Sequence, residues 1–284
     1  MKGIQLFVLA YNNVNLIEEL LGHIKESSIL NLPIDIHIVD NGSSDNTAEI
    51  VKSFDFIKYH RIPKNLYFSG GANHCLSLSK ADHIFFMNSD VIPNERAFRE
   101  IISMAESDVR LGIIGCKSRL MTGDFQDIVK RFPSCLEIHA LHGCISKVSI
   151  LRKLVLSKYS RPHTASATDN IVDVVQDSFI YIRGDLVSLG LRYDSRMRLY
   201  YTEDYICEET RKMGFLVGFC GRAEVMHYSG ATADQRKKSI RNIYDDDAIE
   251  FVKQKYGLMS SWILRADILL RELLSKLKIR KYCK

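Results

Sequence analysis

Residues His83 to Pro93 read HIFFMNSDVIP, and this stretch decides the fold. Ile84 to Met87 form an unbroken apolar run; the polar triplet Asn88, Ser89 and Asp90 follows at once, ahead of Pro93. A strand covered on both faces has no solvent side on which to alternate, so it shows such a run bounded by turn residues. The run therefore predicts a buried strand with Asp90 at its carboxyl rim. Ligands of open α/β sheets gather at that rim, where a carboxylate can meet a metal or a phosphate. An acid in this place also serves as a plain turn cap before proline, and the rest of the chain has to choose between the two roles.

Upstream, strand-like and helix-like segments alternate. IQLFVLA (4–10) reads as a strand, and VNLIEELLGHIKES (14–27) puts Leu16, Leu20, Leu21 and Ile24 at helical spacing. IDIHIVD (34–40) is a second strand. NGSSDNTAEIVKSF (41–54) is turn chemistry running into a helix that Ser44, Asp45 or Asn46 can cap. FIKYHRI (56–62) is a third strand, and Gly70 and Gly71 lead a helix over 70–81. This βαβαβαβ order predicts an α/β chain with a doubly wound, mostly parallel sheet. Asp40 and Asp90 then end two strands on one rim. Between them NLYFSGGAN (65–73) sets its glycine pair at a helix start, which suits close approach to an anion, although such a pair more often marks a tight turn with close packing. No GxGxxG follows the first strand and no GxxxxGK[ST] occurs, which excludes the dinucleotide fingerprint and the P-loop.

Composition is that of a globular protein: 284 residues, 46% hydrophobic and 26% charged. The seven cysteines, at 75, 116, 135, 144, 207, 220 and 283, contain no CxxC pair, which argues against a disulfide framework and a structural zinc site and for a reducing cytoplasm. The first residues read as a strand rather than a signal peptide, and no apolar segment reaches the roughly 20 residues of a membrane span. Trp262–Lys284 carries seven Lys or Arg against two acids, a net +5 that equals the charge of the whole chain. The body is thus formally neutral, unlike a nucleic-acid-binding face. In this tail Met259, Trp262, Ile263, Ala266, Leu270, Leu273, Leu274 and Leu277 share one face of an amphipathic helix, with Arg265, Arg271, Lys276 and Lys278 flanking it. Such a helix can lie on an anionic membrane surface, pack on its own domain or join a second subunit in a homo-oligomer.

Taken together, FVLAYNN (7–13), IHIVDNGSSDNT (36–47), NLYFSGGAN (65–73), FFMNSDVI (85–92), YIRGDLVSLG (181–190), YYTEDYICEETRKMGF (200–215) and VMHYSGAT (225–232) resemble family 2 glycosyltransferases of the GT-A fold. The likeness is to the branch of bacterial rhamnosyltransferases and galactofuranosyltransferases, and it spans about residues 4–232. It implies a GT-A catalytic domain over 1–240, with a Rossmann-like nucleotide-sugar-binding half (1–115), an acceptor-binding and catalytic half (116–240) and a C-terminal helical tail (241–284). It implies an inverting, metal-dependent transfer from a dTDP- or UDP-sugar to a hydroxyl of a growing glycan, free or lipid-linked, in bacterial surface polysaccharide synthesis. The enzyme would be cytoplasmic, with contact to the inner face of the membrane through residues 262–284.

By the same resemblance Asn88, Ser89 and Asp90 form a DxD variant in which asparagine replaces the first acid. Asp90 and His227 would hold the divalent cation that neutralises the leaving diphosphate. Hard oxygen ligands suit Mg²⁺ or Mn²⁺, and an imidazole favours Mn²⁺. Ala10, Tyr11 and Asn12 would cradle the nucleotide together with Asn65, Gly70, Gly71 and Asn73. Asp40 would accept a base N–H, which suits uracil or thymine. Asp45 reads as a helix cap first and a ligand second. Asp204 would be the general base and Glu203 would bind the acceptor; adjacent on a helix, they point about 100° apart and should not face one atom. Gln176 and Asp177 stand where the family carries a small, Gly-containing segment, and would face the donor sugar or acceptor. Residues 121–172 hold none of these motifs; Arg161 and His163 there read as solvated loop residues rather than phosphate ligands. A nucleotidyltransferase is the alternative enzyme, although residues 1–24 lack the basic Gly-rich phosphate loop it needs. A non-catalytic nucleotide-sugar or glycan-binding subunit is the alternative outside catalysis.

Overall fold

The computed structural model describes residues 3–156, 168–228 and 237–282. Its first half follows the alternation in the sequence: β1 (Ile4–Ala10), α1 (Val14–Glu26), β2 (Ile34–Asp40), α2 (Thr47–Lys52), β3 (Ile57–Arg61), α3 (Tyr67–Leu78) and β4 (His83–Asn88). These strands lie side by side in the order β3-β2-β1-β4, all parallel. Both faces of β1 and β4 are covered, which is why these two central strands are largely apolar, whereas the edge strand β3 (IKYHR) stays part-exposed. Leu6, Val8, Phe85 and Met87 join a core with Leu20, Leu21 and Ile24 of α1. Phe7, Ile84 and Phe86 join a second core with Ala72, Cys75 and Leu76 of α3.

Beyond β4 the chain makes β5 (Val91–Ile92), α4 (Glu95–Ser107), β6 (Leu111–Leu120), β7 (Val129–Lys130), α5 (Cys135–His142) and α6 (Ser149–Leu156). Then come β8 (Asn170–Val172), β9 (Val174–Val175), β10 (Phe179–Arg183), α7 (Gly184–Ser188), α8 (Thr202–Lys212), β11 (Leu216–His227), α9 (Lys237–Tyr256) and α10 (Leu258–Tyr282). The sheet continues β4-β10-β6-β11-β5. β10 is antiparallel to both neighbours, whereas β6 and β11 run parallel. Reversing β10 brings the residues that precede it, 176–178, to the carboxyl end of β4, where the Asn88 N–H donates to the Ser178 carbonyl at 3.0 Å. β5 pairs with the end of β11, His227 opposite Val91, and this sets His227 beside Asp90.

The two C-terminal helices pack as part of the body. Ala248, Phe251 and Val252 of α9 and Leu264 and Ile268 of α10 form a third core with Ile138, Met197 and Tyr201. Here one detail of the sequence reading is corrected. Arg271 does not flank an apolar stripe; it is buried at 5% exposure and bonds both oxygens of Asp245. No helix among the described residues is long and apolar enough to cross a membrane. The six described cysteines are free thiols. Arg161, His163 and residues 229–232 lie outside the described residues.

Candidate active site

The site opens at the switch point of the sheet. β1 leads to β2 on one side and lies against β4 on the other, with Leu9 opposite Asn88, the place where open α/β sheets bind ligands at their carboxyl rim. Ala10 is buried and its carbonyl accepts from the Asn41 N–H at 2.8 Å, while Tyr11 stays part-exposed at the rim. Asn12, at φ 47°, accepts from the Ser44 N–H at 2.7 Å and donates its own N–H to the Ser43 hydroxyl at 3.0 Å. Asn13 donates to the Ser89 hydroxyl across this rim. Gly42 holds this loop at φ +81°, and an added Cβ would lie 2.7 Å from the Lys64 carbonyl carbon. Only glycine meets both demands.

Several nucleotide-binding expectations meet a different geometry. Asp40 does not face outward at this rim: it is fully buried, Oδ1 accepts from the Ser43 N–H at 2.7 Å, and Oδ2 accepts from the Tyr59 hydroxyl and Arg61 at 2.8 and 2.9 Å. Its carboxylate builds the 41–46 turn, which leaves no reach to a base N–H. Asp45 does cap, accepting from the Thr47 and Val14 N–H groups, and these bonds hold its carboxyl below the usual range against the pull of burial. Gly70 and Gly71 lie inside α3 rather than at its start. A Cβ on Gly71 would stand 2.6 Å from Leu9, and one on Gly70 2.6 Å from Leu66, so close packing explains both. Asn65 accepts from Tyr67 N–H and Asn41, shaping the turn before α3. Asn73 both donates to and accepts from the Tyr193 backbone, at 2.9 and 2.8 Å, and so ties two elements together.

The divalent cation implied by the resemblance finds a fitting pair of ligands. Asp90 is 5% exposed, and its Oδ1 is buried with no hydrogen-bond partner, 3.4 Å from His227 Nε2. His227 Nδ1 lies 2.7 Å from Gln126 Oε1. An amide oxygen only accepts, so Nδ1 carries a proton, and in the neutral form of this tautomer the Nε2 lone pair faces Asp90. That lone pair and the free carboxylate oxygen suit a cation, and Gln126 supplies the outer bond that fixes the ring. Among the described residues no third His, Cys, Asp or Glu joins them, which leaves the other positions to phosphate and water.

The acids of α8 gather with Asp177. Lys130 of β7 donates to Glu203 Oε1 at 2.8 Å and to Asp204 Oδ2 at 2.6 Å. The two acids therefore do meet at one atom, contrary to the helical-angle argument: at the first turn their side chains bend toward a shared ammonium. The Thr202 hydroxyl donates to Asp177 at 2.8 Å. Burial, with the Glu203 charge nearby, pushes the Asp177 carboxyl well above the usual range. Burial also pushes Asp204 up to about 6, although Lys130 pulls the other way. Burial opposes ionisation of Glu203 too, but the Lys130 ammonium and its hydrogen bond outweigh it and hold that carboxyl low. The cluster thus contains an ionised acid and one tuned near neutrality. Gln176 Oε1 and Asp204 Oδ1 are buried without hydrogen-bond partners.

Sequence reasoning missed Lys130, Gln126 and Asp247. The first two sit in a segment where isolated polar residues carry no spacing signal. Asp247 of α9 accepts from the Leu199 and Tyr200 N–H groups at 2.8 and 3.0 Å, which braces the left-handed Tyr201 at the N-terminus of α8.

Residues 6–137 match the family described as Glycosyl transferase family 2. The poly(ribitol-phosphate) beta-N-acetylglucosaminyltransferase TarP of Staphylococcus aureus is 25% identical over 129 residues, covering 42% of this chain and 38% of the relative. The poly-beta-1,6-N-acetyl-D-glucosamine synthase of the same organism is 26% identical over 181 residues, covering 61% of this chain and 42% of the relative. The matches thus span about two fifths of these curated relatives. A mannosyltransferase from Pyrobaculum calidifontis, solved with GDP-Man and Mn²⁺, superposes with a TM-score of 0.58 at 15% identity, over 95% of this chain and 70% of that one. Residues 6–137 thus match a family 2 glycosyltransferase domain, and the chain has the GT-A fold of solved glycosyltransferases.

Proposed function

We propose that the protein transfers a sugar from a nucleotide-diphosphate donor, a dTDP- or UDP-sugar, to a hydroxyl of a growing surface glycan, with inversion and with a divalent metal. The observation that carries this reading is the buried Asp90–His227 pair, with Asp90 Oδ1 free of hydrogen bonds 3.4 Å from His227 Nε2 at the carboxyl rim of the sheet. Asp90 and His227 would hold Mn²⁺ or Mg²⁺; when bound, such a cation offsets the charge that grows on a departing diphosphate. Asn88, Ser89, Tyr11 and Asn12 stand at the rim where the donor would lie. Mn²⁺ in the Pyrobaculum structure and the glycan-building names of the curated relatives support the reading.

Asp204 is the general base in this account. A carboxyl pushed up to about 6 is basic enough to take a hydroxyl proton and still ionised near neutral pH. Its free Oδ1 is the lone-pair position left for that proton once the cleft admits an acceptor. Glu203 and Lys130 keep the charge of the cluster fixed, and Asp177 and Gln176 line the side toward β4. One displacement from the face opposite the leaving group inverts the anomeric centre. The test is nucleotide-diphosphate release across UDP-, dTDP- and GDP-sugars with Mn²⁺, beside Asp90→Ala and Asp204→Asn. Release from one donor, lost in Asp90→Ala, is expected; no release from any donor would leave only the fold.

A further inference from the structure

Helix α10 has two faces of opposite character. Its inner face is anchored: Ser261, Leu264, Ile268 and Arg271 are buried. Arg271 bonds Asp245, Asp245 lies 2.8 Å from His142 Nδ1, and His142 Nε2 lies 2.7 Å from the Tyr201 hydroxyl at the head of α8. At 100° per residue the opposite side of the helix carries Met259, Trp262, Ile263, Leu270, Leu273 and Leu277. These six are between 51% and 75% exposed. They form a continuous apolar stripe of about 27 Å, larger than the scattered apolar residues of an ordinary surface.

Charge identifies what this stripe fits. Arg265 and Lys276 are exposed along one flank, and Lys278, Arg280 and Lys281 follow in the last turns of the sequence. Of the two acids, Asp267 turns inward to His139 and the Cys144 N–H, which leaves only Glu272 on the outside. A second copy of the chain would bring the same basic flank, whereas anionic headgroups above acyl chains complement both the charge and the apolar stripe. Trp262 suits the boundary between the two, with an apolar ring and a polar N–H.

We propose that α10 lies in the plane of an anionic bilayer surface, its outer face among the acyl chains and its inner face fastened to the body. This goes beyond the transfer reaction, and its test needs neither donor nor acceptor. The full chain is floated with vesicles of equal phosphatidylcholine and phosphatidylglycerol, and with pure phosphatidylcholine. Wild type is expected to float with the anionic vesicles and to be released by salt. The double variant Leu270→Ser/Leu273→Ser should weaken binding at least about tenfold, with unchanged circular dichroism, because both side chains are more than half exposed on the outer face. Failure to float, or flotation untouched by the double variant, would overturn the proposal. So would a dimer by light scattering that ignores vesicles and dissociates in the same variant, since that outcome gives the stripe to a second copy.

Discussion

Asp204 and His227 are the residues whose surroundings do most to set the chemistry. Asp204→Asn removes the base while keeping the shape, so transfer should fall about 10²–10⁴-fold with donor affinity intact; equal loss of donor binding would contradict the role. Because only the ionised carboxylate accepts a proton, kcat/KM should drop tenfold per pH unit below about 6 and level off above it. Lys130→Met withdraws the ammonium that pulls both acids down, so this acid limb should move to higher pH; an unmoved profile would mean that Lys130 is only structural. Gln126→Leu frees the His227 ring and should weaken Mn²⁺ binding about 10–100-fold by paramagnetic resonance, with Gln126→Glu retaining it. At this scale the sequence revealed the acids and His227 through their motifs. The sequence did not show that Tyr59 and Arg61 bind the Asp40 carboxylate, because both come from a neighbouring strand.

Among the elements, α9 acts as a brace for α8. Asp247 is fully buried and accepts two backbone N–H groups just ahead of the catalytic turn. Asp247→Ala would leave both donors unpaired and should cost about 3–5 kcal/mol in denaturant unfolding. A loss under about 1 kcal/mol would show that the turn holds itself. The parallel strands and α1 were legible because burial on both faces writes an apolar run, and helical burial writes a 3.6-residue repeat through Leu20, Leu21 and Ile24. The bracing was not legible, since Asp247 and the 199–201 turn are far apart in sequence and no local pattern joins them. Close packing was the reading the glycine pair itself favoured, but its partner was hidden, because Leu9, which packs against Gly71, lies on a strand far away in sequence.

In the whole molecule, a sheet covered by helices on both faces is joined by a helical pair that shares a core with the start of α8. Truncation before Trp262 would remove Leu264, Ile268 and Arg271 from that core and should lower the thermal midpoint by more than about 5 °C. An unchanged midpoint would make the tail a separate appendage. The amphipathic period of the tail was visible in the sequence, but which face it buries was not, because leucine repeats on both sides of α10. The central claim is that Asp90 and His227 hold a cation through which the diphosphate binds. Calorimetric titration of UDP, dTDP and GDP, with Mn²⁺ and with chelator, tests it most directly. The account predicts one nucleotide that binds only with Mn²⁺ and not to Asp90→Ala; equal binding in chelator, or by Asp90→Ala, would contradict it.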